Sequence, residues 1–102
     1  MLEITSVTQL NQLFSSRNVV VLDFTATWCG PCKMVAPQFE TLSTKYQNVG
    51  FAKVDVDQNE EIVEHYKITC MPTFIVFVNG QPAHRVEGAN LAEVENKITT
   101  LL

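Results

Sequence analysis

Two stretches of the chain, one ending at Thr25 and one at Val78, are apolar almost without interruption and rich in valine, isoleucine and phenylalanine. A strand with one face in water alternates apolar and polar residues, so runs that do not alternate mark strands covered on both faces. Such strands must lie in a sheet sandwiched between two helical layers, an α/β architecture. With 102 residues, 46% of them hydrophobic and 18% charged, the chain can bury roughly two-thirds of its unfolded surface in one core. Residues 1–102 are therefore expected to form one domain, and neither a linker nor an internal repeat interrupts them.

The segments between these runs supply the other layers. Leu2 to Thr5 reads as a short strand, followed by Ser6-Val7-Thr8-Gln9, a capping box opening a helix with Val7, Leu10, Leu13 and Phe14 on one face. The strand from Asn18 to Thr25 is followed by a helix from Pro31 to about Tyr46, with Val35, Phe39, Leu42 and Tyr46 spaced for burial. Pro31 suits the first helical turn, where no N–H is needed, whereas Pro37 inside the helix is expected to mark a kink. Phe51 to Val56 predicts a third strand, and Asp57-Gln58-Asn59-Glu60 caps a short helix carrying Ile62, Val63 and Tyr66. After the strand Thr73 to Val78, Asn79-Gly80 signals a hairpin, so Gln81 to Glu87 returns antiparallel, and Pro82 makes it an edge. Asn90-Leu91-Ala92-Glu93 opens a last helix with Leu91, Val94, Ile98 and Leu101 inward. The order is βαβαβαββα, a mixed five-stranded sheet flanked by four helices.

The chemistry concentrates where the first apolar run ends. Cys29 and Cys32 stand two residues apart at a strand-to-helix junction. A cysteine there faces unpaired backbone N–H groups and the positive end of the helix dipole, which favour its thiolate. An ordinary thiol, with a pKa of about 8.5, is only a few per cent ionised at pH 7, so a modest lowering populates the nucleophile. Cys32 can then displace whatever Cys29 has bonded. Half of a zinc site is the structural alternative for this spacing, but Cys70, His65 and His84 show no second paired spacing. Asp23 interrupts Val19-Val20-Val21-Leu22-Asp23-Phe24, where packing alone disfavours a carboxylate; it is either satisfied by backbone N–H groups or kept for the nearby cysteines.

The formal net charge is -4, with no basic run to follow a phosphate backbone, so nucleic acid is not an expected partner. Apolar runs fall short of the ~20 residues of a membrane span, and Met1 to Ser6 has neither a basic nor a long apolar region. A cytoplasmic location is expected, where three cysteines read as redox-active rather than as a stapling framework.

Trp28-Cys29-Gly30-Pro31-Cys32-Lys33 after a strand resembles the thioredoxin family. So do Asp23 six residues before Cys29, Lys53 in Ala-Lys-Val-Asp-Val-Asp, Met71-Pro72-Thr73, Asn79-Gly80 and Gly88, and the resemblance spans nearly the whole chain. It implies the thioredoxin fold, a Cys29-Cys32 redox disulfide, Cys29 as nucleophile, Cys32 as resolving thiol and Asp23 as the base that deprotonates Cys32. Gly30, Pro31 and Lys53 would tune the pair, Lys53 as charge partner of Asp23 unless it is a surface lysine on a sheet edge. Trp28, Met71, a cis Pro72, Gly88 and Ala89 would form the rim that grips an extended substrate segment.

The implied activity is reduction of protein disulfides, with no metal and no bound cofactor and with NADPH supplying electrons through a thioredoxin reductase. Implied partners are that reductase and substrates of the peroxiredoxin, methionine sulfoxide reductase and ribonucleotide reductase classes. Oxidases and isomerases of the same fold usually carry His where this chain has Pro31, so a reductase is favoured over them. A binding or adaptor module excised from a longer chain is the alternative outside enzymology. Cys70, next to Met71, is either a small buried hydrophobe or an exposed thiol able to link an otherwise monomeric protein into a dimer. His65 and His84 are expected to be solvated.

Overall fold

The computed structural model describes all of residues 1–102. Its elements follow the expected order: β1 (Leu2–Ile4), α1 (Val7–Ser16), β2 (Val19–Thr25), α2 (Gly30–Lys45), β3 (Gly50–Asp55), α3 (Glu60–His65), β4 (Thr73–Val78), β5 (Gln81–Glu87) and α4 (Leu91–Thr99). The strands lie in the order β1-β3-β2-β4-β5. β3 pairs in parallel with β1 and β2, while β4 runs antiparallel to both β2 and β5. The continuous runs are thus β2 at the centre and β4 beside it, both flanked by strands on either edge and covered on both faces.

Alternation along β2 divides the core in two. Val19 and Val21 pack with Val35, Phe39 and Leu42 of α2 and with Leu91, Val94 and Ile98 of α4. Val20, Leu22 and Phe24 face the other way, toward Leu10 of α1 and Ile62 of α3. Asp23 falls on the α2/α4 side, next in line after Val21. Four fully buried phenylalanines, Phe24, Phe39, Phe74 and Phe77, share the two layers, two on each side.

The caps largely follow the sequence. Ser6 Oγ accepts the Gln9 N–H at 3.1 Å, while the Gln9 side chain returns to the N–H of Thr5, one residue earlier than a standard box, at 2.7 Å. Asn90 Oδ1 accepts the Glu93 N–H at 3.1 Å. Asn79 and Gly80 both have positive φ, 51° and 79°, which the right-handed twist of a two-residue hairpin requires.

Two expectations are corrected. Val7, on the first turn of α1, is exposed rather than inward, and lines with Leu10 and Ile62 a surface groove between α1 and α3; Leu13 and Phe14 pack against the core as expected. Asn59 occupies the N-cap of α3 but caps nothing: its side-chain amide is buried and donates to the carbonyls of Ile4 at 3.1 Å and Asp55 at 2.9 Å, tying the end of β1 to the end of β3. Pro37 lies inside α2, which continues through it as one element. Both Pro37 and Lys33, whose carbonyl loses its helical donor there, face solvent, where water can take that donor's place. No helix is long and apolar enough to cross a membrane.

Candidate active site

β2 delivers the chain to the mouth of α2. Cys29 is the N-cap of α2, with extended backbone, and its Sγ accepts the N–H of Cys32 at 3.3 Å. This is the interaction expected to hold a thiolate, since that N–H is one of the orphan donors of the first turn. Pro31 sits in that turn. Cys29 and Cys32 are joined in a disulfide, with Cα atoms 5.3 Å apart. They pack with Ala26, Val56 and Met71 in a small apolar cluster separate from the two main cores. Cys29 keeps 6% of its surface exposed and Cys32 2%, so the first cysteine is the more accessible to a partner. No group of three or more His, Cys, Asp or Glu side chains is placed to hold a metal ion, so the half zinc site finds no second half.

Asp23 is 1% exposed, and neither carboxylate oxygen has a hydrogen-bond partner. The alternative of a structural aspartate satisfied by backbone N–H groups is therefore overturned. Burial pushes its pKa up to about 7, against the opposing pull of the Lys53 ammonium. Lys53 pairs in register with Asp23 on one side and with Glu3 on the other, so it lies on an inner strand, not on a sheet edge. It is half-buried and within Coulombic reach of Asp23, yet forms no ion pair with it. Lys53, Thr25, Asp55, Cys32 and Lys33 are among the residues lining a groove of about 370 Å³, a route by which water reaches Cys32.

The rim forms around the disulfide. Trp28 is 64% exposed, and its Nε1–H donates to Asp57 Oδ2 at 2.8 Å, which fixes the indole while leaving an apolar face free. Sequence reasoning missed Asp57 in this role, reading it as part of a helix cap; only the fold brings it to Trp28. The Met71-Pro72 bond is cis, Met71 touches the cysteine cluster, and Pro72 is buried. Gly88 has φ 102°, and its N–H donates to the Pro72 carbonyl at 2.8 Å. A Cβ there would meet nothing, so the backbone conformation, not crowding, demands glycine. Ala89 and Gly30 are exposed, and His65 is too. Cys70 is a free, exposed thiol, 3.7 Å from Thr73 Oγ1, so the buried, inert reading does not hold.

This geometry has recognisable relatives. The thioredoxin family model matches residues 2–100. A thioredoxin of Mycoplasma pneumoniae is 48% identical over 86 residues, covering 84% of each chain. Among solved structures, a thioredoxin of Plasmodium falciparum superposes with a TM-score of 0.93 at 38% identity over 100% of both chains. A further solved chain, from work on the thiol resolving mechanism in yeast mitochondrial 1-Cys peroxiredoxin via glutathione and thioredoxin systems, gives 0.91 at 36% identity, covering 98% of this chain and 94% of that one.

Proposed function

The chain belongs to the thioredoxin family and is a protein-disulfide reductase working through its Cys29/Cys32 pair, and from that premise we propose how its residues divide the reaction. Cys29 thiolate, favoured by the Cys32 N–H and the α2 dipole, attacks one sulfur of a substrate disulfide held against Trp28 and Met71. A mixed disulfide forms, and the displaced substrate thiolate takes a proton from water. Asp23 accepts the Cys32 proton through water, and the resulting thiolate attacks Cys29 Sγ. The second substrate thiolate leaves, and the enzyme is left in the disulfide form. Two electrons are consumed and must return from an external donor.

The family resemblance supports NADPH through a thioredoxin reductase as that donor, with the protein serving as a diffusible electron carrier in the cytoplasm. It likewise supports peroxiredoxins, methionine sulfoxide reductases and ribonucleotide reductase as substrate classes. Gly30, Pro31 and Lys53 tune the pair, and Gly88 and Ala89 complete the contact surface.

The observation that carries the division of labour is a carboxylate buried without partners on β2, the strand that leads to the disulfide at the N-cap of α2. Turbidity from insulin reduction, driven by dithiothreitol, tests it. Wild type accelerates the reaction catalytically, while Cys32→Ser forms mixed disulfides and falls to the rate of dithiothreitol alone; a Cys32→Ser protein turning over like wild type rules out resolution by Cys32.

A further inference from the structure

The rim segment that carries Met71 has no helix or strand of its own, so its place is set by whatever holds its two ends. One end follows α3. The Ile68 N–H donates to the Val63 carbonyl at 3.0 Å and the Lys67 N–H to the Glu64 carbonyl at 3.2 Å, with Lys67 left-handed at φ 54°. This Schellman arrangement closes the helix but leaves the carbonyls of Tyr66 and Lys67 pointing beyond it.

Arg85 of β5 takes both. Its Nη1 donates to the Tyr66 carbonyl at 2.6 Å and its Nη2 to the Lys67 carbonyl at 2.8 Å, while Glu87 accepts from Nε at 3.2 Å and steadies the fork. Arg85 pairs in register with Ile75, on the sheet face that carries α3, which is why its side chain reaches the end of that helix. The other end of the segment is held from the same strand's exit, by the Gly88 N–H on the Pro72 carbonyl at 2.8 Å. Between them, Thr73 Oγ1 donates to the Cys70 carbonyl at 2.7 Å.

We propose that Arg85 is a positioning residue for substrate capture, its planar guanidinium fixing the backbone ahead of Met71 so that the Met71 main chain can pair with an extended substrate. The proposal rests on the rim assignment above. Two charge-assisted bonds from one rigid fork to consecutive carbonyls define the position of that backbone in a way one flexible ammonium does not. Loss of the fork leaves Cys29, Cys32 and Asp23 untouched, so it weakens the grip on a peptide without altering the exchange of sulfurs.

The dithiol forms of wild type, Arg85→Gln and Arg85→Lys are mixed with insulin over a range of concentrations, and separately with dithiobis(nitrobenzoate), an aryl disulfide too small to use the rim. Arg85→Gln raises the half-saturating insulin concentration by about five-fold, with the limiting rate and the aryl disulfide rate within about two-fold of wild type. Arg85→Lys, able to serve one carbonyl, falls between. An unchanged half-saturation, or insulin and aryl disulfide rates falling together, overturns the proposal. Wild type that leaves insulin disulfides intact removes the underlying rim assignment as well, an outcome separable from the failure of the Arg85 variants alone.

Discussion

A carboxyl group in the interior with both oxygens unpartnered resists ionisation, and at Asp23 the resistance is large enough to move its titration to about pH 7. A base that titrates at the working pH is both available and strong enough to take a thiol proton, which an ordinary aspartate is not. Lys53 in the next strand opposes the shift, and without it the group would stay protonated to still higher pH. The kinetic consequence is an acid limb. In single-turnover reduction of insulin, the Cys32 step should slow as pH falls through about 7, about ten-fold per unit below it. Asp23→Asn should remove that limb and lower the rate at pH 8 by about ten- to a hundred-fold. An acid limb retained in the variant would assign the proton to another group.

At the scale of elements, what the sequence showed was whatever depends on neighbours in the chain. The unalternating runs gave β2 and β4, Ser6 and Asn90 gave two caps, and Asn79-Gly80 gave the hairpin. The Cys-Gly-Pro-Cys spacing placed the site at the start of α2. What stayed hidden needs partners far away. Asn59 bonds to Ile4 across 55 residues, Asp57 meets Trp28 across 29, and Arg85 closes α3 from 18 and 19 residues downstream. In sequence each is only a polar residue at a turn or an edge. Lys67 shows the same limit in the backbone, since the position after α3 needs a positive φ and the sequence has no glycine there to announce it. The left-handed conformation costs a lysine roughly 1–2 kcal/mol, of which glycine's greater freedom in the unfolded chain returns part. Lys67→Gly should therefore stabilise the protein by about 0.5–1 kcal/mol and raise the melting temperature by a few degrees, with disulfide exchange unchanged. A lower melting temperature would mean that the lysine side chain contributes more than its backbone conformation costs.

For the molecule as a whole, the buried carboxylate of Asp23 sets a slope of stability against pH. The unfolded chain releases the Asp23 proton near its usual pKa of about 3.9, while the folded protein holds it to about 7. Between these values the native state binds more protons than the unfolded state, so this group lowers stability as pH rises from about 4 to about 7 and adds no further change above. Three units correspond to a ceiling of about 4 kcal/mol, large against the 5–15 kcal/mol by which a domain is usually stable. Glu95 runs the opposite way, its pKa lowered by hydrogen bonds from Lys45 and Tyr46, but it lies near the surface where solvent screens the effect. Comparing wild type with Asp23→Asn cancels Glu95 and isolates the buried group. In urea unfolding of the oxidised proteins, the stability of the variant relative to wild type should increase steadily from pH 4 toward pH 7 and level off by about pH 8. The neutral amide has its own packing and hydrogen-bond penalty, which offsets the whole difference equally at every pH and leaves its slope intact. Parallel curves for the two proteins would show that Asp23 ionises as easily in the fold as out of it, and would take away the base that the resolving step requires.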